Sequence, residues 1–196
     1  MCSRFFVNPQ MEREIRGFFE SWEERPEAAP GPGDIRPSQT SLVIGERAGK
    51  AGIFCCRWGL DMGRGGGLAI NARSETALEK PLFSAHVERR RLAVPAAGFY
   101  EWDAEKQRSS FKPLKGACLY MAGFWARQED GPRFCILTTE ANASVKPVHG
   151  RMPLIFDRET ALRWILEPEA VRELLRARPE ALLRETEYEQ LKLFGP

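Results

Sequence analysis

The sequence predicts an α+β fold, a single domain whose largely antiparallel, barrel-like sheet is flanked by helices. Three observations lead there. Strand-like runs follow one another through the middle of the chain, and helical patterns gather at its two ends. No shift in composition marks a domain boundary within the 196 residues, a length that suits one substantial core.

Taken in order, residues 10–22 set Met11, Ile15, Phe18, Phe19 and Trp22 along one face of a helix. "EERPEAAPGPGDIRPSQ" comes next, a Pro- and Gly-rich surface loop. "TSLVIG" and "GIFCCRWGL" read as strands separated by "ERAGKA". "DMGRGGG" is a flexible loop. It lacks the spacing of a dinucleotide or Walker motif and a following Lys-Ser/Thr, which argues against a nucleotide-phosphate cradle. "LAINARSET" enters as a strand and leaves as a turn, with Thr76 and Glu79 placed to cap a short helix that Pro81 ends. Strands are expected at 91–94, 98–103, 117–125 and 134–139, with a short one at 154–156. Asp157 reads as the N-cap of a helix through Leu166, and Pro168 opens another that carries Val171, Leu174 and Leu175. The tail "RETEYEQLKLF" fits strand alternation and helix equally well.

Composition excludes several classes. With 43% apolar and 29% charged residues the chain is neither disordered nor membrane-like. No apolar run approaches the roughly 20 residues that cross a bilayer. The start lacks the basic-then-apolar order of a signal peptide, so a cytoplasmic protein is expected. The five cysteines include no C-x-x-C pair, and with only His86 and His149 available no metal or cofactor is expected. Cys55, Cys118 and Cys135 sit in apolar runs and are expected to be buried, with Cys56 facing the opposite way from Cys55. A net charge of +2 gives little long-range steering, yet 22 of the 29 basic residues are arginine, whose planar fork grips phosphate.

Cys2 stands directly behind the initiator methionine. Once Met1 is removed, the terminus carries an α-amine and a thiol on adjacent carbons. Such a pair turns an aldehyde first into an imine and then into a five-membered thiazolidine. Four other segments are unusual for a plain core. "GFYEW" sets Glu101 between Tyr100 and Trp102, where burial would raise its pKa and make it a proton shuttle; a solvent-facing Glu on an edge strand fits equally. "VHGRMP" sets His149 and Arg151 in a loop, where histidines are commonly surface residues. "INARSET" offers an amide, a guanidinium and a carboxylate, or simply turn chemistry. "CRWGL" pairs Arg57 with Trp58, a base-stacking surface if exposed and ordinary core if not. "ERRR" at 88–91 reads as a solvated charged run.

In this order, "CSRF" (2–5), "RWGL" (57–60), "NARSET" (71–76), "GFYEW" (98–102) and "HGRMP" (149–153) resemble the SRAP family, the SOS response-associated peptidases that process abasic sites in single-stranded DNA. The resemblance runs from Cys2 to about Phe156 of one domain spanning 1–196, and the helices and tail of 157–196 carry little of it. It implies that Cys2 captures the sugar aldehyde as a thiazolidine. Asn71 would hold Cys2 and the sugar, Glu101 would shuttle protons, and His149 would assist as acid or base. Arg4, Arg73 and Arg151 would bind phosphates, and Trp58 would pack on a base beside the lesion. The implied partner is single-stranded DNA with abasic sites, met in the cytoplasm and on the nucleoid. The implied side activities are removal of Met1, which explains the peptidase label, and β-elimination of the lyase type. Where the family has glycine after the cysteine this chain has Ser3, whose Cβ would be strained at positive φ. Two other readings compete: an N-terminal-nucleophile amidohydrolase built on Cys2, and a single-strand-binding module without catalysis.

Overall fold

Residues 2–16, 29–63 and 65–186 are described by the structure, a computed structural model. From the N-terminus the order is β1 (Phe5–Val7), α1 (Pro9–Arg16), β2 (Gly33–Ile35), β3 (Thr40–Arg47), β4 (Lys50–Trp58), β5 (Leu60–Asp61), β6 (Leu68–Ala69) and β7 (Asn71–Arg73). It continues with α2 (Pro81–Arg89), β8 (Arg91–Ala96), β9 (Gly98–Trp102), β10 (Arg108–Pro113), β11 (Leu119–Gln128) and β12 (Gly131–Glu140). The last elements are β13 (Arg151–Pro153), β14 (Ile155–Phe156), α3 (Arg158–Leu166), α4 (Val171–Leu174) and β15 (Leu182–Thr186).

The long apolar strands pair with one another until no edge is left. β12 pairs with β4, β4 with β3, β3 with β8, β8 with β11, and β11 returns to β12. These pairings close a barrel of five strands, antiparallel except at β12–β4. Closure removes the unpaired N–H and C=O groups that an open sheet would expose. β7 and β13 also lie along β12, and β14 along β11. A second sheet runs β15–β10–β9–β1–β2, antiparallel throughout. The chain thus forms the expected α+β domain with a barrel-like sheet. No helix among the described residues is long and apolar enough to cross a membrane.

Several local expectations need correction. Pro81 does not end a helix but begins α2 at its first turn, where its missing N–H costs nothing. Residues 74–76 form only a 3-10 turn. "ERRR" is not wholly solvated: Arg91 is 6% exposed. Its guanidinium donates to the carbonyls of Val87, Glu88, Trp164 and Ile165, joining the C-terminal ends of α2 and α3. The cysteine pair is reversed, with Cys56 buried and Cys55 partly exposed, because β4 turns the even position inward. The Pro/Gly loop contains β2, and the described part of the tail is β15. α1 follows the expected face through Met11 and Ile15, while Phe18, Phe19 and Trp22 lie outside the described residues. Asp157 caps α3 as expected, accepting from the Thr160 N–H at 2.7 Å.

Candidate active site

Strand alternation decides which side chains β9 presents. Phe99 and Glu101 turn inward, and Tyr100 and Trp102 turn outward. β9 lies between β10 and β1, so Glu101 belongs to no edge strand. Gly98 lets the three strands approach, because a Cβ there would lie 2.5 Å from both the Phe111 carbonyl oxygen and the Phe6 ring. Glu101 is 2% exposed, and burial raises its carboxyl from the ordinary 4.5, with the nearby His149 acting in the opposite direction. A carboxyl moved toward neutrality can both give and take a proton.

Cys2 lies close enough to this carboxyl to feel its charge. It is fully buried, and burial followed by the Glu101 charge pushes its thiol up, so the sulfur is neutral until a base takes its proton. Asn71 holds the residue by donating from Nδ2 to the Cys2 carbonyl at 2.7 Å. Its Oδ1 is buried with no hydrogen-bond partner among the described residues. Asn71 opens β7, which is fastened by pairing with β12 and by the Trp58 indole N–H donating to the Ile70 carbonyl at 2.9 Å. Ser3 adopts no positive φ, so its Cβ brings no backbone strain.

His149 approaches from the other side, its Nδ1 3.9 Å from Glu101 Oε1. The same nitrogen faces the Arg151 N–H at 3.0 Å and the Arg151 carbonyl at 2.9 Å, which locks the ring over its own loop in either tautomer. Arg151 is gripped in turn by both oxygens of Glu75, at 2.6 and 2.8 Å, and donates to the Thr138 carbonyl at 2.6 Å. That fork holds the Glu75 carboxyl below its usual range.

Cys2, Asn71, Glu101 and His149 therefore converge, although 147 positions separate the first from the last (149 − 2). The arginines divide. Arg73 and Arg151 flank β12 near Thr138, and of Arg4, Arg73 and Arg151 it is Arg73 that is exposed with no ion pair among the described residues. Arg4 lies 3.6 Å from Asp34 and 5.2 Å from the centre of the Trp102 ring, on the face of β9 that Glu101 does not use. Trp58 corrects the stacking expectation. It is fully buried beside Phe5 and Phe134 and has no face for a base, and Arg57 beside it pairs with Asp130 at 2.6 Å. Gly59 comes next at φ +103°, a turn that Gly adopts readily. Thr138 and Asp34 were not legible as partners of Arg151 and Arg4, since nothing local marks a contact between distant strands. No group of three or more His, Cys, Asp or Glu suited to a metal ion occurs among the described residues.

The abasic site processing protein YoaM of Bacillus subtilis is 30% identical, covering 84% of this chain and 79% of that one. YoqW of the same organism is 31% identical over 84% of this chain and 80% of its own length. A crystal structure of a Bordetella bronchiseptica protein superposes with a TM-score of 0.77 at 23% identity, covering 94% of this chain and 99% of that one, a likeness of fold. The SOS response associated peptidase (SRAP) family model matches residues 1–193, and the chain belongs to that family.

Proposed function

We propose that this protein processes abasic sites in single-stranded DNA, as part of the DNA damage response, by capturing the sugar aldehyde on Cys2. The observation that carries the reading is the contact of Asn71 with the Cys2 carbonyl in a cluster that includes Glu101 and His149. The names of YoaM and YoqW as abasic site processing proteins support the substrate class.

The groups present dictate the chemistry. An abasic sugar is mostly a closed hemiacetal, and opening it moves the hydroxyl proton from O1 to the ring oxygen. Glu101 and His149 relay that proton. The α-amine of Cys2, freed of Met1, adds to the aldehyde carbon and water leaves, giving an imine. The thiol then adds to the same carbon, its proton passing by way of Glu101 to the imine nitrogen. The product is a thiazolidine, and one water is the only group lost. Burial keeps the thiol protonated at neutral pH, so a base beside it is required, and Glu101 is that base. Asn71 holds the nucleophile, replacing concentration with position. Arg73 and Arg151 take flanking phosphates, with Arg4 a further contact across the sheet. The imine can instead lose the 3′ phosphate by β-elimination, which is lyase activity. Met1 must leave first, because acylation removes the amine's nucleophilicity; hydrolysis of that bond accounts for the family's peptidase name.

The test is incubation of Met1-free protein with an abasic single-stranded oligonucleotide, then a denaturing gel. A heat-stable shifted band is expected, and an N-terminal tag should abolish it while DNA binding persists. Equal binding of intact and abasic strands with no shifted band would overturn the reading in favour of a non-catalytic binding module.

A further inference from the structure

A cleft of about 800 Å³ opens beside the capture site, between the 3-10 turn at Ser74–Thr76, the loop at 140–146 and the segment from α4 to Pro179. Its walls are fastened together. Asn142 Nδ2 donates to the carbonyls of Pro179 at 3.2 Å and Glu180 at 2.6 Å, and its Oδ1 accepts from Ser144 Oγ at 2.6 Å.

The charges lining the cleft do not cancel. Glu75 is engaged by Arg151, and Glu140 lies 3.6 Å from Lys146 Nζ. That leaves Arg172, Arg176 and Arg178, all exposed and with no side-chain hydrogen bond or ion pair among the described residues, against Glu79 alone. A second observation is independent of charge. Ser74 lines the same cleft at 2% exposure, and its Oγ has no hydrogen-bond partner among the described residues. Ser74 directly follows Arg73, and Glu75 is the residue that holds Arg151.

We propose that this cleft is a second anion subsite, which takes backbone phosphates of the same DNA strand beyond the nucleotides at Cys2. The proposal rests on the capture reading above. Arginine forks suit phosphate oxygens. Three unpaired arginines spread along one edge suit a repeated anion better than a single one. The Ser74 hydroxyl supplies a donor at the end nearest the lesion.

The experiment uses Met1-free, full-length protein and labelled single strands that carry a stable abasic analogue, so that binding is read apart from capture. Strands are short, or extended on the 5′ or the 3′ side. Wild-type affinity should rise with extension on one side only. Arg172→Ala/Arg176→Ala/Arg178→Ala should lose that rise, and the slope of log affinity against log salt should flatten by up to about 2, at roughly 0.7 per phosphate released. The corresponding triple lysine variant should keep most of both, which separates charge from folding. A wild type that binds the short strand but gains nothing from extension on either side overturns the subsite and leaves the capture reading standing. Saturable binding of inorganic phosphate at constant ionic strength, lost in the alanine variant and with no dependence on strand length, would overturn the strand assignment in favour of a small free anion. A wild type that binds neither intact nor abasic strands would defeat both readings.

Discussion

Trp58 and Glu101 both lie buried in strands within one core, and they make opposite demands on it. Trp58 fills space beside Phe5 and Phe134 and satisfies its one polar atom on the Ile70 carbonyl. Glu101 brings an ionisable group to a place where burial penalises its charge, beside a thiol and an imidazole. The first arrangement stabilises the fold. The second costs stability and is kept where proton chemistry needs a shifted pKa. Trp58 still serves the site at one remove, since the carbonyl it holds immediately precedes Asn71.

The contrast is sharpest at Glu101→Gln. Loss of the proposed proton carrier should slow crosslinking by about 10²–10⁴-fold, read as band formation against time, with little change in affinity for the strand. The same substitution should also stabilise the protein at neutral pH. A carboxyl raised by burial binds its proton more tightly in the folded state than in the unfolded chain. Stability is therefore greatest below the ordinary value of 4.5 and falls as pH rises through the higher folded value. Gln abolishes that fall, so the gap in Tm over wild type should widen from about pH 4 to about pH 8. A gap that narrows would mean that Glu101 is better stabilised as a carboxylate than its burial implies.

Trp58→Ala should do the reverse and act on stability first. Truncating a buried tryptophan costs about 3–5 kcal/mol, read in urea unfolding. Capture by the remaining folded protein should be slowed less than by Glu101→Gln. A stable Trp58→Ala protein that fails only in DNA binding would restore the stacking role that its burial denies. The smallest effect belongs to Ser3→Gly. Ser3 holds an ordinary backbone angle, so the change brings no relief of strain and loses at most about 1 kcal/mol to the added freedom of the unfolded chain. A clear gain in crosslinking rate would show that serine hinders the site in some way other than backbone strain.

How far the sequence could be read depended on how far apart the deciding residues stand. The N-cap at Asp157 was legible because its acceptor and donor lie three positions apart. The burial of Glu101 was legible in part, since Tyr100 and Trp102 stand on either side of it, yet edge or interior position was open until β10 and β1 flanked β9. β10 carries little strand signal because "RSSFKP" is polar, and only Ser109 and Phe111 are buried there. Pro81 is ambiguous in sequence because proline breaks and begins helices alike; the packing of Phe83 and Val87 into the core settles that a helix begins there.

By itself the sequence determined the chemistry on offer: a thiol at position 2, a carboxylate between aromatics, a histidine in a loop, and five motifs in family order. It determined the α+β class as well, because periodicity is a local property. Only the tertiary structure decided which of these groups meet. Barrel closure, the β7–β12 register and the turn before β13 bring Asn71 and His149 to Cys2 and Glu101. The same packing removes Trp58 from solvent and leaves Arg73 exposed. Burial is set by strands distant in sequence, and burial is what raises the Glu101 carboxyl as the proposed proton relay requires.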